Sequence, residues 1–381
     1  MPYWRLSLFY FFYFATLGAF IAYWGLYLKS KGISDFTIGS LLAVFIAPRI
    51  FSPMLLAWVA DKTQKMVLIL KISAFLMLLS FIGLIYSENL AYSFFWIFCF
   101  GFFFSGILPK FEALTFSYIL KESHKYTLIR LWGSIGFALA VLLIGWTLEQ
   151  TSIAVLLQIL AILVLGIVLI SYSLQELNLP SAANVSESFL DILLSPQVKF
   201  LLLVAFLVQL SHGAYYSFFS IYLQEYSYSK STIGLLWAIG VLAEILLFFY
   251  LSKFNPVISK HNLIMLALLL TVLRWVLTAL FVENVIWLAV VQLLHAASFA
   301  LFHAMAVQYI NSIFVMNMRA RGQALYSMAS FGAGGMLGSL LAGLGWDYIG
   351  GTAVFALSAL IALAAAALWQ LGAKTAKSND I

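Results

Sequence analysis

Charge is what this sequence has least of. Asp, Glu, Lys and Arg make up 9% of its residues, where a soluble globular domain carries about 25%. Cysteine is almost absent too: Cys99 stands alone, inside an apolar run. That excludes an intrachain disulfide, and no Cys/His spacing suits a bound metal. The alternating segments of about ten residues that mark a membrane β-barrel are missing. The stretches between apolar runs are too short to house a separate extramembrane enzyme domain. A net charge of +6 could suggest a polyanion partner, but the basic residues are scattered over short loops, which excludes a nucleic-acid surface.

What remains is apolar. Hydrophobic residues make up 64% of the chain, and mean hydropathy is +1.04. A spanning helix needs about 20 apolar residues. The sequence supplies twelve such runs, at roughly 6–28, 36–60, 66–86, 92–119, 128–148, 153–173, 199–223, 232–251, 263–282, 286–312, 322–345 and 352–371. The fold class is therefore an all-α membrane protein with twelve transmembrane helices. The first run is too long for a signal-peptide core and lacks a small-residue cleavage site, so it is read as a retained helix. The longest connection, Ser173 to Val198, carries Glu176, Pro180, Glu187, Asp191 and the helix-start pair Ser195-Pro196. It divides the chain into a six-helix bundle at 1–175, a cytoplasmic linker at 176–198 and a second bundle at 199–381. With both termini cytoplasmic, 13 basic residues fall on the cytoplasmic side and 3 on the other, the last four of the 20 lying inside the runs. The positive-inside rule fixes that orientation.

The halves repeat. At a constant offset of 195 residues, YLKSKGISDFTIG from Tyr27 aligns with YLQEYSYSKSTIG from Tyr222, matching Tyr-Leu, Ser34 with Ser229, and Thr-Ile-Gly with Thr-Ile-Gly. Extended, the alignment pairs Gly18-Ala19 with Gly213-Ala214 and sets Arg49 opposite Glu244. Parallel six-helix repeats are a known transporter construction, with the binding site near the midplane between halves.

Six charges lie well inside apolar runs: Arg49, Lys110, Glu112, Arg130, Glu244 and Arg274. His212, His295 and His303 join them. A charge in a spanning segment needs a partner or water and is a functional hypothesis by default. Glu112 and Arg130, on consecutive helices joined by KESHK, can offset each other; the plain alternative is a fixed interhelical ion pair, which says little about stability. Lys110 could reach the interface or pair with Glu112. Arg49 and Glu244 could form a static clasp between halves, while Arg274 and Glu244 are both central and adjacent in topology. Four positive charges against two negative ones favour an anion such as a carboxylate, which suits a guanidinium fork. His295 and His303, eight residues apart, fall broadly on one helix face; imidazole titrates near physiological pH and suits a proton relay, although an intramembrane His is often only a hydrogen-bonding group between helices. Tyr215 and Tyr216 could stack on an aromatic ligand or simply pack. The run Gly332, Gly334, Gly335, Gly338 signals close helix packing or a bend, and Pro48 and Pro53 can kink the second helix.

Twelve helices in two repeated halves resemble the major facilitator superfamily. The loop AWVADKTQK resembles a degraded form of its glycine-aspartate-basic gating motif: Asp61 and Lys62 stand in place, but Ala57 and Gln64 replace its glycines. Over nearly the whole chain, RLWGS at 130–134, HGAYY at 212–216, Ala243-Glu244, Arg274-Trp275, VVQLLH at 290–295 and His303 are similar to the phenylpropionate permease family, relatives of lactose permease and the nucleoside–proton symporters. The resemblance implies that Glu112 and Arg130 bind substrate and that Glu244, Arg274 and His295 couple it to a proton. The coupling carboxylate expected three residues after the histidine is replaced by Ser298, which leaves His303 or Glu244 to carry the proton.

The expected protein is a cytoplasmic-membrane secondary transporter, not an enzyme, working as a monomer by alternating access and moving a small organic anion such as 3-phenylpropionate with protons. Arg130, Arg274, Tyr215 and Tyr216 are expected to touch the substrate, with Glu112 orienting Arg130. Glu244, His295 and His303 are expected to handle the proton, and Arg49, Asp61, Lys62 and His212 to gate. No metal or cofactor is expected. A nucleoside or sugar symporter, or an exporter, on the same scaffold stays open. A non-transporting sensor is disfavoured by the short loops and the tail KTAKSNDI.

Overall fold

The computed structural model describes residues 2–119, 123–176, 195–254, 258–315 and 318–378. Every regular element among them is helical. The helices are α1 (Tyr3–Ser30), α2 (Asp35–Ile46), α3 (Ser52–Thr63), α4 (Met66–Ile85), α5 (Leu90–Ile119), α6 (Ser123–Gln150), α7 (Val155–Tyr172), α8 (Pro196–Glu225), α9 (Lys230–Phe254), α10 (Lys260–Leu280), α11 (Val285–His295), α12 (Phe302–Ile313), α13 (Arg319–Ser327) and α14 (Gly335–Ser378). Among the described residues, eleven helical stretches are long and apolar enough to cross a membrane. The last bends at Gly350, whose φ of 77° only glycine adopts freely, so it is two spans and the total is twelve. Lys121 and most of the expected linker, including Pro180, Glu187 and Asp191, lie outside the described residues.

Three spans are not plain helices. The second is cut by a 3-10 turn at Ala47–Ile50 between α2 and α3, where Pro48 and Pro53 withdraw backbone donors. The tenth passes from α11 through a π-helical segment, Ala296–Leu301, into α12. The eleventh holds a second π-helical segment, Met328–Gly334, between α13 and α14. Such widened turns recur at functional sites.

The repeat read from the sequence reaches the caps. Ser34 Oγ accepts the amide of Thr37 at 3.3 Å at the start of α2. Ser229 Oγ, 195 residues later, accepts the amide of Thr232 at 3.2 Å at the start of α9. Each hydroxyl satisfies one of the orphan donors of a helix N-terminus. Glu176 does the same for α4: its carboxylate accepts from the amides of Val67 and Leu68 at 3.0 to 3.3 Å.

The chain forms two compact units, Met1–Ser181 with Leu223–Ala238, and Ala182–Tyr222 with Ile239–Ile381. The segment Leu223–Ala238 falls in the first unit, a grouping that differs from the division at residues 176–198. Within that unit Glu149 accepts the amide of Ser231 at 3.1 Å, and Tyr23 donates to the carbonyls of Val141 at 2.5 Å and Lys230 at 3.4 Å.

In the second unit, the glycine run is a packing surface. A Cβ on Gly213 of α8 would lie 2.2 Å from the backbone of Gly338 of α14, so the two helices touch backbone to backbone. Gly213→Val should therefore cost about 1–3 kcal/mol through overpacking. Its thermal unfolding in detergent should fall clearly below that of the parent; an unchanged transition would show that the helices can separate at no cost.

Candidate functional site

The second unit buries a polar cluster whose members come from five elements. On α10 the buried residues Ile264, Ala267, Leu268, Thr271, Arg274, Trp275 and Thr278 recur at helical spacing. Arg274 lies on that stripe, so it points into protein rather than lipid, and its relative exposure is 0%. On α11 the buried stripe is Leu288, Val291, Gln292 and His295. Asn284 sets that helix by accepting the amides of Ile286 and Trp287 at 3.0 and 3.2 Å.

Arg274 organises the cluster. Its Nη1 lies 2.7 Å from His295 Nδ1 and donates to Ser298 Oγ at 3.0 Å, and its Nη2 donates to Gln292 Oε1 at 3.2 Å. Tyr215 donates to the same Gln292 oxygen at 3.0 Å. The guanidinium carbon sits 4.2 Å from the ring centroid of Tyr215 and 4.6 Å from that of Trp275, within cation–π range. Trp275 is itself held by a bond to Ser211 Oγ at 3.2 Å.

The tautomer of His295 follows from this geometry. A guanidinium only donates, so Nδ1 must present its lone pair. The ring proton then sits on Nε2, which lies 2.7 Å from Glu244 Oε1 and donates to it. A second proton on the ring would turn an N–H toward Arg274, so His295 is neutral here. The result is a directed chain from Arg274 through His295 to Glu244. Side-chain exposure rises along it, to 5% at His295 and 17% at Glu244.

Arg274 was expected to touch substrate, and so was Tyr215, which is 1% exposed. Both are enclosed by their own unit's side chains, because a buried guanidinium needs every available acceptor around it. Arg274 meets His295 and Gln292, and Tyr215 bonds the same Gln292. His212, expected at a gate, is likewise interior: it is 0% exposed, donates from Nδ1 to the Val208 carbonyl at 2.8 Å and meets Trp275 edge-on at 4.8 Å. Tyr216 is less enclosed, lying beside His212 and His295 at centroid distances of 6.0 and 6.4 Å. His303 stands apart from His295. The ring of Phe299 is stacked between them, at 5.4 Å from one and 6.2 Å from the other, and His303 Nδ1 meets the Tyr326 hydroxyl at 3.0 Å.

The first unit holds the second pair. Arg130 Nε lies 4.0 Å from Glu112 Oε1, with side-chain exposures of 31% and 34%. The guanidinium carbon of Arg130 sits 4.0 Å from the centroid of Phe14 and 5.5 Å from that of Tyr10. Tyr126 is within hydrogen-bonding reach of Glu112. The pair is loose and partly open. Arg49 keeps company with Tyr13 in the same unit. Asp61 is exposed and near Lys110, and Lys62 lies 5.1 Å over the ring of Trp58.

Sequence reasoning missed Gln292, Phe14 and Tyr126. A signal existed for Gln292: an uncharged polar side chain within VVQLLH, three residues before His295. The aromatic partners carried none, because Phe and Tyr abound everywhere in this chain.

Twelve spans in two units, with one buried charge cluster and one open pair, define a membrane transporter of the major facilitator class. The chain belongs to the MFS_1 like family, whose family model matches residues 3–357. It is 30% identical over 367 residues to the "Probable 3-phenylpropionic acid transporter" of Escherichia coli (strain K12), covering 94% of this chain and 95% of that one. It is 26% identical to the "Maltose permease" of Geobacillus stearothermophilus over 347 residues, 88% of this chain and 86% of the other. Among solved structures, the nucleoside transporter NupG superposes with a TM-score of 0.84 at 19% identity, covering 98% of this chain and all of that one. That likeness speaks for the fold.

The two arginines differ in burial, and their removal should show it. Arg274→Met strips donors from Gln292, Ser298 and His295 and should cost about 3–5 kcal/mol, as breaking a buried charge network does. Arg130→Met, about a third exposed, should unfold within about 1 kcal/mol of the parent. Side-by-side thermal unfolding tests this, and equal losses would contradict the difference in burial.

Proposed function

We propose that this chain is a proton-coupled symporter of a small organic anion, with 3-phenylpropionate as the leading substrate. It works as a monomer by alternating access in the cytoplasmic membrane, with both termini cytoplasmic. The observation that carries this reading is the directed chain Arg274–His295–Glu244. Every hydrogen bond that Arg274 makes among the described residues ends on a neutral atom, and the carboxylate stands one imidazole away. While Glu244 is ionised, its charge offsets that of Arg274 across the ring. A proton on Glu244 leaves the buried guanidinium uncompensated. In a low-dielectric interior that excess positive charge acts over several ångströms, which favours an anion nearby. Proton binding and anion binding then strengthen each other, as linkage requires.

The anion's first contact is assigned to Arg130, whose guanidinium is open and lies against Phe14 and Tyr10. A carboxylate suits its planar fork, and an aryl group suits the aromatic neighbours. Tyr216 is the corresponding aromatic candidate in the second unit. Glu112 orients Arg130 and yields as the substrate arrives. His303, behind Phe299, is a further proton station. Arg49, Asp61 and Lys62 remain candidates for gating. The name of the Escherichia coli relative supports an aryl carboxylate, while the maltose permease and NupG keep a neutral sugar or nucleoside as the second reading.

Uptake of labelled 3-phenylpropionate into proteoliposomes decides between them. An inward proton gradient should drive accumulation, and unlabelled aryl carboxylates should compete where uncharged nucleosides and maltose do not. Arg130→Lys should lower uptake by about tenfold or more, since an ammonium cannot replace a bidentate fork. Glu244→Gln should abolish gradient-driven accumulation yet retain exchange of internal for external substrate. Accumulation that ignores the proton gradient would remove the coupling, and competition by maltose or nucleosides would move the substrate class.

A further inference from the structure

Gln292 is the least expected member of the buried cluster. It is fully buried, and two donors converge on its Oε1, the hydroxyl of Tyr215 at 3.0 Å and Nη2 of Arg274 at 3.2 Å. Its Nε2 has no hydrogen-bond partner among the described residues. The side chain is therefore present as an acceptor. A glutamate, nearly identical in shape, would supply the same oxygen, bond both donors more strongly and leave no orphan N–H. At this position the chain carries the isostere without a charge.

We infer that Gln292 is a charge-neutral positioning residue, which aims Arg274 at His295 without neutralising it, so that the guanidinium's charge answers to Glu244 alone. This deepens the coupling proposed above and rests on it. The arithmetic of charge makes the point. With Gln292, the cluster of Arg274, His295 and Glu244 is neutral when Glu244 is ionised and carries +1 when it is protonated. With a carboxylate at position 292 those states become −1 and zero. A net positive charge would then require both carboxylates to be protonated at once.

The titratable and charged groups set around this cluster are few among the described residues. His212, Tyr215 and Tyr216 face it from α8, Glu244 from α9 and His295 from α11; beyond Phe299 stand His303 and Tyr326. His212 spends its Nδ1 proton on a backbone carbonyl. His295 is held neutral by Arg274. Glu244 is the carboxylate whose protonation resets the local charge.

The test is the pH dependence of 3-phenylpropionate binding to the purified full-length protein, followed by titration calorimetry. In the parent, affinity should strengthen by about tenfold from alkaline to acidic pH, the size of an ordinary coupling. Gln292→Glu should bind about tenfold or more weakly than the parent across the range in which the parent tightens, because the second carboxylate holds the cluster one charge lower there. Glu244→Gln should be flat, at the tight level reached by the parent in acid. A Gln292→Glu profile that follows the parent's would overturn this role for Gln292 and leave the coupling standing. A parent profile that is itself flat would remove the coupling, and this role with it. If Gln292→Glu alone is not recovered folded, the double variant Gln292→Glu/Glu244→Gln decides, because it restores a single carboxylate beside Arg274. Recovery of folded protein and of its melting transition supports the inference, and failure to recover refutes it.

Discussion

A guanidinium with no water around it is the constraint on which the second unit depends. Desolvating a full charge costs several kcal/mol, and the cost is met only if neighbouring groups replace the lost hydration. Arg274 is fully enclosed, so its surroundings are built for that purpose: an imidazole nitrogen, a hydroxyl and an amide oxygen accept its protons, and two aromatic faces cover its plane. Those partners then need positions of their own. Trp275 is tied to Ser211, Tyr215 shares Gln292, and α8 is held against α14 by the glycine contact at Gly213 and Gly338. The π-helical turn after His295 belongs to the same set, since Ser298, which it carries, reaches Arg274. One buried charge thus fixes the register of several helices.

Much of this was legible in the sequence, and the reasons differ by feature. The offset of 195 residues placed two serines that prove to be equivalent helix caps, because a cap depends on a hydroxyl at one position and little else. Charged residues in apolar runs singled out Arg274 and Glu244 as central neighbours, since a buried charge needs a partner, and the family resemblance joined His295 to them. The loop after α3 was readable in finer detail. Gln64, where the superfamily's motif has glycine, takes a left-handed conformation with φ 54°, and its amide bonds the Asp61 carbonyl at 2.6 Å. The glycine preference there is one of backbone conformation, and the side-chain bond accompanies the departure from it.

Other features were not legible, and again for physical reasons. Whether a buried arginine faces a ligand or its own unit depends on the distances to its acceptors, which spacing along one helix does not encode. Arg274 and Arg130 look alike as sequence, each an arginine in an apolar run with a tryptophan close behind. In three dimensions one has acceptors at both Nη atoms, from His295, Ser298 and Gln292, and the other has a loose carboxylate and two aromatic rings. His212 is a similar case: its place in HGAYY does not reveal that a backbone carbonyl four residues earlier and the edge of Trp275 are its neighbours. Phe299, which separates His295 from His303, is one phenylalanine among 34, and nothing in its type distinguishes a spacer from packing.

The contrast between the two arginines gives the proposed mechanism its division of labour. A group that binds substrate must release its resting partner at small cost, so a pair at 4.0 Å, a third exposed, is suited to the work; its weak attraction is the property required. A group that reports a proton must keep its geometry while the charge beside it changes, so it must be enclosed and held by neutral neighbours. Arg274 suits that condition, being enclosed and bonded to the neutral groups of His295, Ser298 and Gln292. The imidazole between them keeps the carboxylate out of direct contact, so Glu244 can take up or lose its proton without breaking any bond to the guanidinium. A direct Arg–Glu bond would be stronger and would resist protonation by that same strength. The interposed, neutral His295 makes the pair weaker as a salt bridge and more responsive as a switch, and a symporter that must return its carboxylate to the ionised state in every cycle requires the second property more than the first.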